Sequence, residues 1–207
     1  MNAPIMKVIG WGLAISIVAV GSALVVVHRM NTIYCEGPDS SIYHIVLSRR
    51  LLANGELGEA LVAAHKAVEI EPRDFSARVC MGEVLAAMKQ WPDALESFRK
   101  AALLEPNWYP AHRGAAQALS ALDDTSGAER ELHECVRIAP NDAESHMNLA
   151  SNLAVQKRFA EAIEEMKRAD ELGSQRPDWK YPTKEWIAEF ERELLEHGDA
   201  PDSPVER

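Results

Sequence analysis

The sequence predicts an all-α protein in which an array of paired helices follows a single membrane-spanning helix. Pro72, Pro106 and Pro140 are evenly spaced, and each of them ends a similar helical phrase. Apolar residues between these prolines recur at helical spacing, and nothing alternates with the two-residue period of a strand. The interval between the prolines, about 34 residues, is typical of arrays of stacked helical units. We therefore expect a helical repeat array over most of the chain.

Composition narrows the class of protein before any motif is considered. The 207 residues are 47% hydrophobic and 26% charged, which excludes a low-complexity or wholly disordered chain. The net charge is −10, and residues 1–30 contribute only Lys7 and Arg29, so the rest of the chain carries −12. A body this acidic repels phosphate backbones, and we expect no nucleic-acid partner. Three widely spaced cysteines indicate neither a disulfide framework nor a zinc site.

The first predicted element is a membrane anchor over residues 1–30. Residues 8–27 form an apolar run without a charge, which as a helix reaches about 30 Å and matches the hydrocarbon core. A cleaved signal peptide is the alternative, but its apolar region spans about 7–15 residues and ends in a small-residue cleavage site. The run is longer, and no such site follows it. We predict an uncleaved anchor and a short tether over residues 31–38.

Membrane orientation remains open at the level of sequence. The amino terminus and Lys7 precede the span, whereas Arg29 follows it, which favours a cytoplasmic amino terminus and an extracytoplasmic body, periplasmic in a bacterium. Arg49 and Arg50 lie at the limit of the range over which such charges count. Unpaired cysteines are also disfavoured in oxidising compartments. These features weaken the preference, and a cytoplasmic body stays an alternative.

The repeat region divides into four blocks in register, with breakers such as Asn54-Gly55 and Asp123-Asp124 between the two helices of a block. Alanine recurs at one slot of the second helix in every block, where a small side chain lets two helices approach closely. Asn141 with Glu144 indicates an N-cap and an acid three residues later. A connector and a capping helix are predicted over residues 175–198, and a disordered tail over residues 199–207. The four blocks are residues 39–72, 73–106, 107–140 and 141–174.

The blocks resemble the tetratricopeptide repeat family. The second block carries the resemblance best, with Met81-Gly82, Leu85, Ala94, Phe98, Ala101 and Pro106 at the family's pattern positions. The first block has Ser48 at the glycine slot, and the fourth has Ser174 in place of the proline. The resemblance implies a right-handed α-solenoid whose concave face is lined by the first helix of each pair. It also implies a protein that binds other proteins.

The resemblance further implies which residues line the concave groove. A carboxylate clamp known in the family uses Lys and Asn at set slots, and those slots here hold Ile45, Arg49, Cys80, Pro110 and Gly114, so a ligand held by that clamp is not expected. Arg49 and Arg113 are the basic groove candidates and are expected to attract an acidic segment. The alternative is that they only offset Glu83 and Glu144. The predicted groove residues are Ile45, Arg49, Leu52, Val79, Glu83, Arg113, Gln117, Met147 and Ser151.

No residue pattern indicates an enzyme. His44, His112 and His146 occupy one slot of the first helix in three blocks, at least a whole repeat apart, which indicates packing rather than metal binding. There is no phosphate-binding glycine loop and no nucleophile or zinc motif. We therefore expect no catalytic, cofactor-binding or metal-binding residue.

Two functions of different kinds fit these features. The first is a membrane-anchored scaffold or assembly factor that holds partner proteins near the bilayer. The second is a permanent structural subunit of a membrane complex, held through its span. Gly10 with Ala14 and Gly12 with Ser16 have the four-residue spacing that permits close contact between membrane helices, which slightly favours a lateral partner.

Overall fold

The computed structural model describes residues 39–199, and within that range the chain forms nine α-helices and no strand. The all-α prediction is confirmed for this part of the chain. The predicted anchor and tether, and the tail from residue 200, lie outside the described residues. None of the described helices has the length and apolar character needed to cross a bilayer. The helices are α1 (Ser41–Asn54), α2 (Leu57–Ile70), α3 (Phe75–Ala87), α4 (Trp91–Leu104), α5 (Tyr109–Ala121), α6 (Thr125–Ile138), α7 (Ala143–Val155), α8 (Phe159–Gly173) and α9 (Thr183–His197).

The first eight helices form four antiparallel pairs that recur at the interval set by the prolines. The first helices of the pairs begin at residues 41, 75, 109 and 143, and the second helices begin at residues 57, 91, 125 and 159. Each pair lies within one of the four predicted blocks. Consecutive helices pack against each other along the whole described range, so the array grows by stacking one pair on the next.

The turn inside each pair has the same left-handed geometry in all four repeats. A residue with positive φ follows the first helix at Gly55, Lys89, Asp123 and Lys157, and only the first of them is glycine. In the second repeat the Lys89 N–H donates to the Ala86 carbonyl at 2.9 Å, and the next N–H donates to the Leu85 carbonyl at 2.9 Å. This pair of bonds is the Schellman arrangement, which satisfies the last carbonyls of a helix. The other three turns repeat the same pattern of bonds.

Alanine allows the two helices of each pair to cross closely. Ala60, Ala94, Ala128 and Ala162 are all fully buried, as the sequence predicted for this slot. The larger Phe98 is 2% exposed and fills the space between the second and third repeats. Small residues set the distance between helices, and an occasional large one fills the remaining volume.

The array is closed at its carboxyl-terminal end by α9. Trp186, Ile187 and Phe190 pack against a cluster that includes Ala150 and Met166 of the fourth repeat. Terminal repeats expose an apolar face, and a single covering helix removes that face from water. The aromatic face of α9 therefore serves the stability of the array.

Helix starts show one difference from the sequence-based expectation. The N-cap of α7 is Asp142 and not Asn141, because the Asp142 carboxylate accepts from the Ser145 N–H at 2.9 Å and from the Ser145 hydroxyl at 2.6 Å. Asp74 and Asp124 cap α3 and α6 in the same way. A carboxylate at this position satisfies free backbone N–H groups and complements the positive end of the helix.

Candidate protein-binding groove

The predicted groove residues divide by exposure. Ile45 and Val79 are 6% and 1% exposed and belong to the hydrophobic core, so they offer no surface to a ligand in this structure. Leu52 and Met147 are partly buried among neighbouring apolar side chains. Of the predicted groove residues, those whose side chains reach solvent are Arg49, Glu83, Arg113, Gln117 and Ser151.

Three of these residues surround an opening between α5 and α7. The structure packs α1 against α3 and α3 against α5, whereas α5 and α7 make at most marginal contact. A cleft of about 610 Å³ occupies the space between them. Three predicted residues, Arg113, Gln117 and Ser151, line it. The other lining residues are Ala116, Ser120, Asp123, Thr125, Leu132, Asn148, Asn152 and Val155.

Smaller depressions extend this cleft in both directions. Towards the second repeat, a depression of about 260 Å³ shares Arg113 and Gln117 with the cleft and reaches Glu83. Towards the carboxyl terminus, a depression of about 400 Å³ shares Ser151 and Val155 and is bounded by α9. The shared residues make the three depressions one continuous groove from α3 to α9, and we use the word groove for this surface.

Both arginines predicted for the groove, of which only Arg113 lines the surface defined above, are already paired with acids. Arg49 Nε lies 3.4 Å from a Glu83 carboxylate oxygen, and Arg113 lies 3.8 Å from Glu144. Arg113 also lies over the Tyr109 ring, with its guanidinium carbon 5.6 Å from the ring centre. These side chains are 33% to 51% exposed, so the pairs add little stability. An acidic ligand has to compete with Glu83 and Glu144 for the two arginines.

A polar network supports the cleft from behind. Glu129 is 17% exposed and accepts from Gln156 at 2.8 Å and from Arg158 at 2.6 Å. Gln156 also donates to Asn152, which lines the cleft. Burial acts to raise the pKa of Glu129, but the hydrogen bonds from Gln156 and Arg158 and the nearby charges of Arg158 and His133 together lower that pKa. The network joins α6 to the α7–α8 turn, and it holds Asn152 in position.

Two of the three histidines at the repeated slot, His112 and His146, make hydrogen bonds within the array. His112 Nδ1 lies 2.8 Å from the Glu131 carboxylate, and its Nε2 lies 3.0 Å from the Pro106 carbonyl. His146 makes the same two contacts one repeat later, with Glu165 and Pro140. Both nitrogens face acceptors, so only the doubly protonated ring donates to both. The hydrogen bond to Glu131 raises the pKa of His112.

The two cysteines of the described region lie in the core. Cys80 is fully buried, Cys135 is 1% exposed, and each sulfur contacts a backbone carbonyl. Burial raises the pKa of the Cys135 thiol to about 12, which keeps it protonated and unreactive. In residues 39–199 no group of three histidine, cysteine or acidic side chains is placed to hold a metal ion.

Several cleft residues were absent from the sequence-based set. Asn148 and Asn152 of α7 and Thr125 at the start of α6 face the cleft, although family groove slots do not include them. Their exposure to the cleft follows from the wider separation of α5 and α7. The sequence pattern does not predict that separation, because the helices begin at the same interval along the sequence in all four repeats.

Comparison with solved structures shows the fold. No protein-family model matches the chain, and a search of curated proteins found no match. The chain is similar to TTC0263, a TPR protein of Thermus thermophilus, with 21% identity and a TM-score of 0.62 over 88% of this chain and 96% of that one. It is also similar to YrrB, a TPR protein with an unusual peptide-binding site, with 22% identity and a TM-score of 0.59 over 77% and 84%.

A third similar structure holds a ligand. It is the first TPR of Spaghetti (RPAP3) bound to the HSP90 peptide SRMEEVD, with 16% identity and a TM-score of 0.54 over 56% of this chain and 92% of that one. The described part of the chain therefore has the TPR solenoid fold.

Proposed function

We propose that this chain is a membrane-anchored, non-enzymatic protein that binds peptide segments of partner proteins in the groove. In this role it acts as a scaffold or assembly factor for a membrane or envelope complex. The observation that carries the proposal is the cleft between α5 and α7, which combines a polar lining with an apolar floor.

The chemistry of the cleft suits an extended peptide. Gln117 and Asn148 reach the cleft with side-chain amides, which both donate and accept hydrogen bonds and so match the N–H and C=O groups of a peptide backbone. Val155, which is 70% exposed, supplies apolar surface for a side chain of the ligand. A volume of about 610 Å³ falls within the range of ordinary ligand pockets. YrrB has a peptide-binding site and the RPAP3 repeat holds a bound peptide, which supports this choice of ligand class for the same fold.

Residues 8–27 support the anchoring part of the proposal. This uncharged, mostly apolar run has the length required to span a hydrocarbon core. The distribution of flanking charge favours an extracytoplasmic body, and the groove then faces proteins outside the cytoplasm. We propose this location, with a cytoplasmic body as the alternative that a topology measurement decides.

Blocking the cleft tests the binding proposal. Ser151 is exposed, and its hydroxyl donates to the Met147 carbonyl of its own helix, so Ser151→Trp fills the cleft without removing a tertiary bond. We expect partners recovered from gently solubilised membranes to fall several-fold. Ala160→Trp on α8 is the control, since it adds the same ring to an exposed site outside the groove. Equal recovery with both variants, each folded by circular dichroism, contradicts binding in the cleft.

The anchor and the alternative function are tested separately. We expect the full chain to keep residues 1–30 and to stay with membranes after washing at alkaline pH and high salt. A mature chain that begins after residue 28, or that salt alone releases, contradicts the anchor. If the full chain co-purifies as a stoichiometric, salt-resistant complex that Ser151→Trp leaves intact, the structural-subunit function replaces the scaffold.

A further inference from the structure

The first repeat presents a face that the second repeat buries. On α3 this face carries Ala77, Cys80 and Val84, which are fully buried against α1 and α2. The same slots on α1, one repeat earlier, hold Tyr43, Val46 and Arg50. Tyr43 is 39% exposed and Val46 is 50% exposed. No repeat precedes α1 in the described residues, and no other part of residues 39–199 covers this end face.

The residues in these slots differ in size as well as exposure. The slot of Tyr43 holds Ala77, Ala111 and Ser145 in the later repeats, and all three are buried. The slot of Arg50 holds Val84, Ala118 and Asn152, which are also buried. Small residues are what a closely stacked helix requires at these positions. Tyrosine and arginine therefore indicate that the end face is not shaped for another stacked helix.

The adjoining surface of α2 is apolar where the other repeats are charged. Val62 is 70% exposed, and its counterparts Glu96, Arg130 and Glu164 are exposed charged residues. Val62 and Leu51 border a shallow apolar cleft of about 750 Å³ between α1 and α2. An exposed apolar patch at a site that is otherwise polar marks an interaction surface.

We propose that this end face, formed by Tyr43, Val46 and Arg50, rests together with the adjoining apolar surface at Val62 on the phospholipid interface of the membrane that anchors the chain. The inference depends on the proposed anchor, because residues 28–40 then join the span to α1. Fully extended, that segment reaches at most about 45 Å, so α1 is the described helix that the chain holds nearest the bilayer.

The chemistry of the end face fits a lipid interface better than a protein. Tyrosine rings and the long side chains of arginine and lysine are favoured where hydrocarbon meets headgroups. A fluid lipid surface has no fixed shape, so Tyr43 and Arg50 are accommodated where a packed helix would clash. The nearby charges balance, with Arg50 and Lys66 against Glu59 and Glu69. Docking then depends mainly on apolar contact and only weakly on anionic lipid.

Spin labels on the full-length chain test the proposal. Val46→Cys and Val62→Cys place a nitroxide on the end face and on the adjoining apolar surface, and Leu103→Cys places one at an 81% exposed site on α4 as the control. Each change is made in a Cys35→Ser background, since Cys80 and Cys135 are buried and do not label. The chain is reconstituted in nanodiscs of phosphatidylcholine with a minority of phosphatidylglycerol. Collision rates with oxygen and with a water-soluble nickel chelate are measured at each label.

The proposal predicts an oxygen-to-nickel collision ratio that is several-fold higher at residues 46 and 62 than at residue 103. Equal ratios at the three sites, in a chain that floats with lipid vesicles, overturn the docked face and leave the anchor standing. A label at residue 46 that is shielded from both reagents indicates contact with a second protein chain and also overturns it. A full chain that does not float with vesicles overturns the anchor and this inference together.

Discussion

Phe98 shows how single residues set the spacing between repeats. Its ring lies between two glycines, Gly82 on α3 and Gly114 on α5, and a Cβ built at either glycine meets ring carbons at 2.4 to 2.8 Å. The ring is 2% exposed and cannot swing into solvent without leaving the core. The absence of a side chain at both glycines is therefore a packing requirement. Gly58 on α2 is different, because a Cβ there meets no atom within 4 Å.

We expect Gly114→Ala to lower the free energy of unfolding and Gly58→Ala to raise it. The added methyl group at residue 114 overpacks the core beside Phe98, which typically costs about 1–3 kcal/mol. At residue 58 the methyl group enters open space and improves helix propensity, worth up to about 1 kcal/mol. Chemical denaturation of a fragment of residues 36–207, which contains all nine described helices, measures both. A Gly114→Ala variant as stable as Gly58→Ala would contradict the close packing of Phe98 on Gly114.

His112 makes stability depend on pH. Its hydrogen bond to Glu131 and the nearby charge of Glu134 raise its pKa in the folded protein above the ordinary value of 6.5. A group with a raised pKa contributes stability that is fully present below pH about 6.5 and is lost as pH rises through the folded-state value. We expect the unfolding free energy of the natural chain, minus that of His112→Gln, to fall between pH 6 and pH 9. If that difference stays constant or grows over this pH range, the hydrogen bond between protonated His112 and Glu131 does not stabilise the fold.

At the scale of elements, the turn inside each repeat stores strain in three of the four repeats. Lys89, Asp123 and Lys157 adopt φ angles of 60° to 62°, where a side chain is unfavourable by roughly 1–2 kcal/mol. The Schellman bonds and the buried helices on either side impose that conformation. The first repeat avoids the strain with Gly55.

Lys157→Gly is expected to stabilise the fourth repeat. Glycine tolerates the left-handed conformation, but it also raises the conformational entropy of the unfolded chain, so the net gain is about 0.5–1 kcal/mol. Lys157→Ala is the matched control, since it removes the exposed charge but keeps a Cβ, and it should give no gain. The measurement is the midpoint of urea unfolding for the two variants. Equal midpoints would show that the gain does not arise from the backbone conformation.

On the scale of the whole molecule, the four repeats are equal in period but unequal in packing. Helix α3 packs against both α1 and α5, whereas α7 makes at most marginal contact with α5. The cleft lies in the space between α5 and α7. Behind the opening, Glu129 joins the third repeat to the fourth through Gln156 and Arg158. The groove is thus widest at a boundary held together by polar contacts.

Charge reversal tests whether electrostatics contributes to the groove. We expect Arg49→Glu combined with Arg113→Glu to change the unfolding free energy by less than about 1 kcal/mol, because both ion pairs are exposed. Capture of partners should fall, and the difference from the natural chain should shrink at high salt, since exposed charges are screened beyond about 8–10 Å. A folded variant that recovers the same partners in the same amounts would exclude the two arginines from binding.

The sequence alone was enough to predict the helices, their pairing and the buried slots. These properties are local: the regular interval between the prolines, the alanines at residues 60, 94, 128 and 162, and the breakers between helices all act within one repeat. A capping helix was also predicted within residues 175–198, and α9 covers the fourth repeat there. One predicted cap was wrong: the sequence predicted Asn141 as the N-cap of α7, and the structure has Asp142. Both residue types are good N-caps, and only the backbone geometry selects between them.

Only the tertiary structure decided which surface of the array is available. Ile45 and Val79 occupy the same groove slot and were predicted to line the groove, yet stacking of the repeats buries both. Asn148 and Asn152 line the cleft because α7 stands away from α5, a distance that depends on the side chains at every contact between the third and fourth repeats. The interval between repeats along the sequence is set by single helices and their turns. The distance between repeats in space is set by many contacts between residues that are far apart in the sequence. For that reason the fold could be predicted from the sequence, whereas the position of the cleft could not.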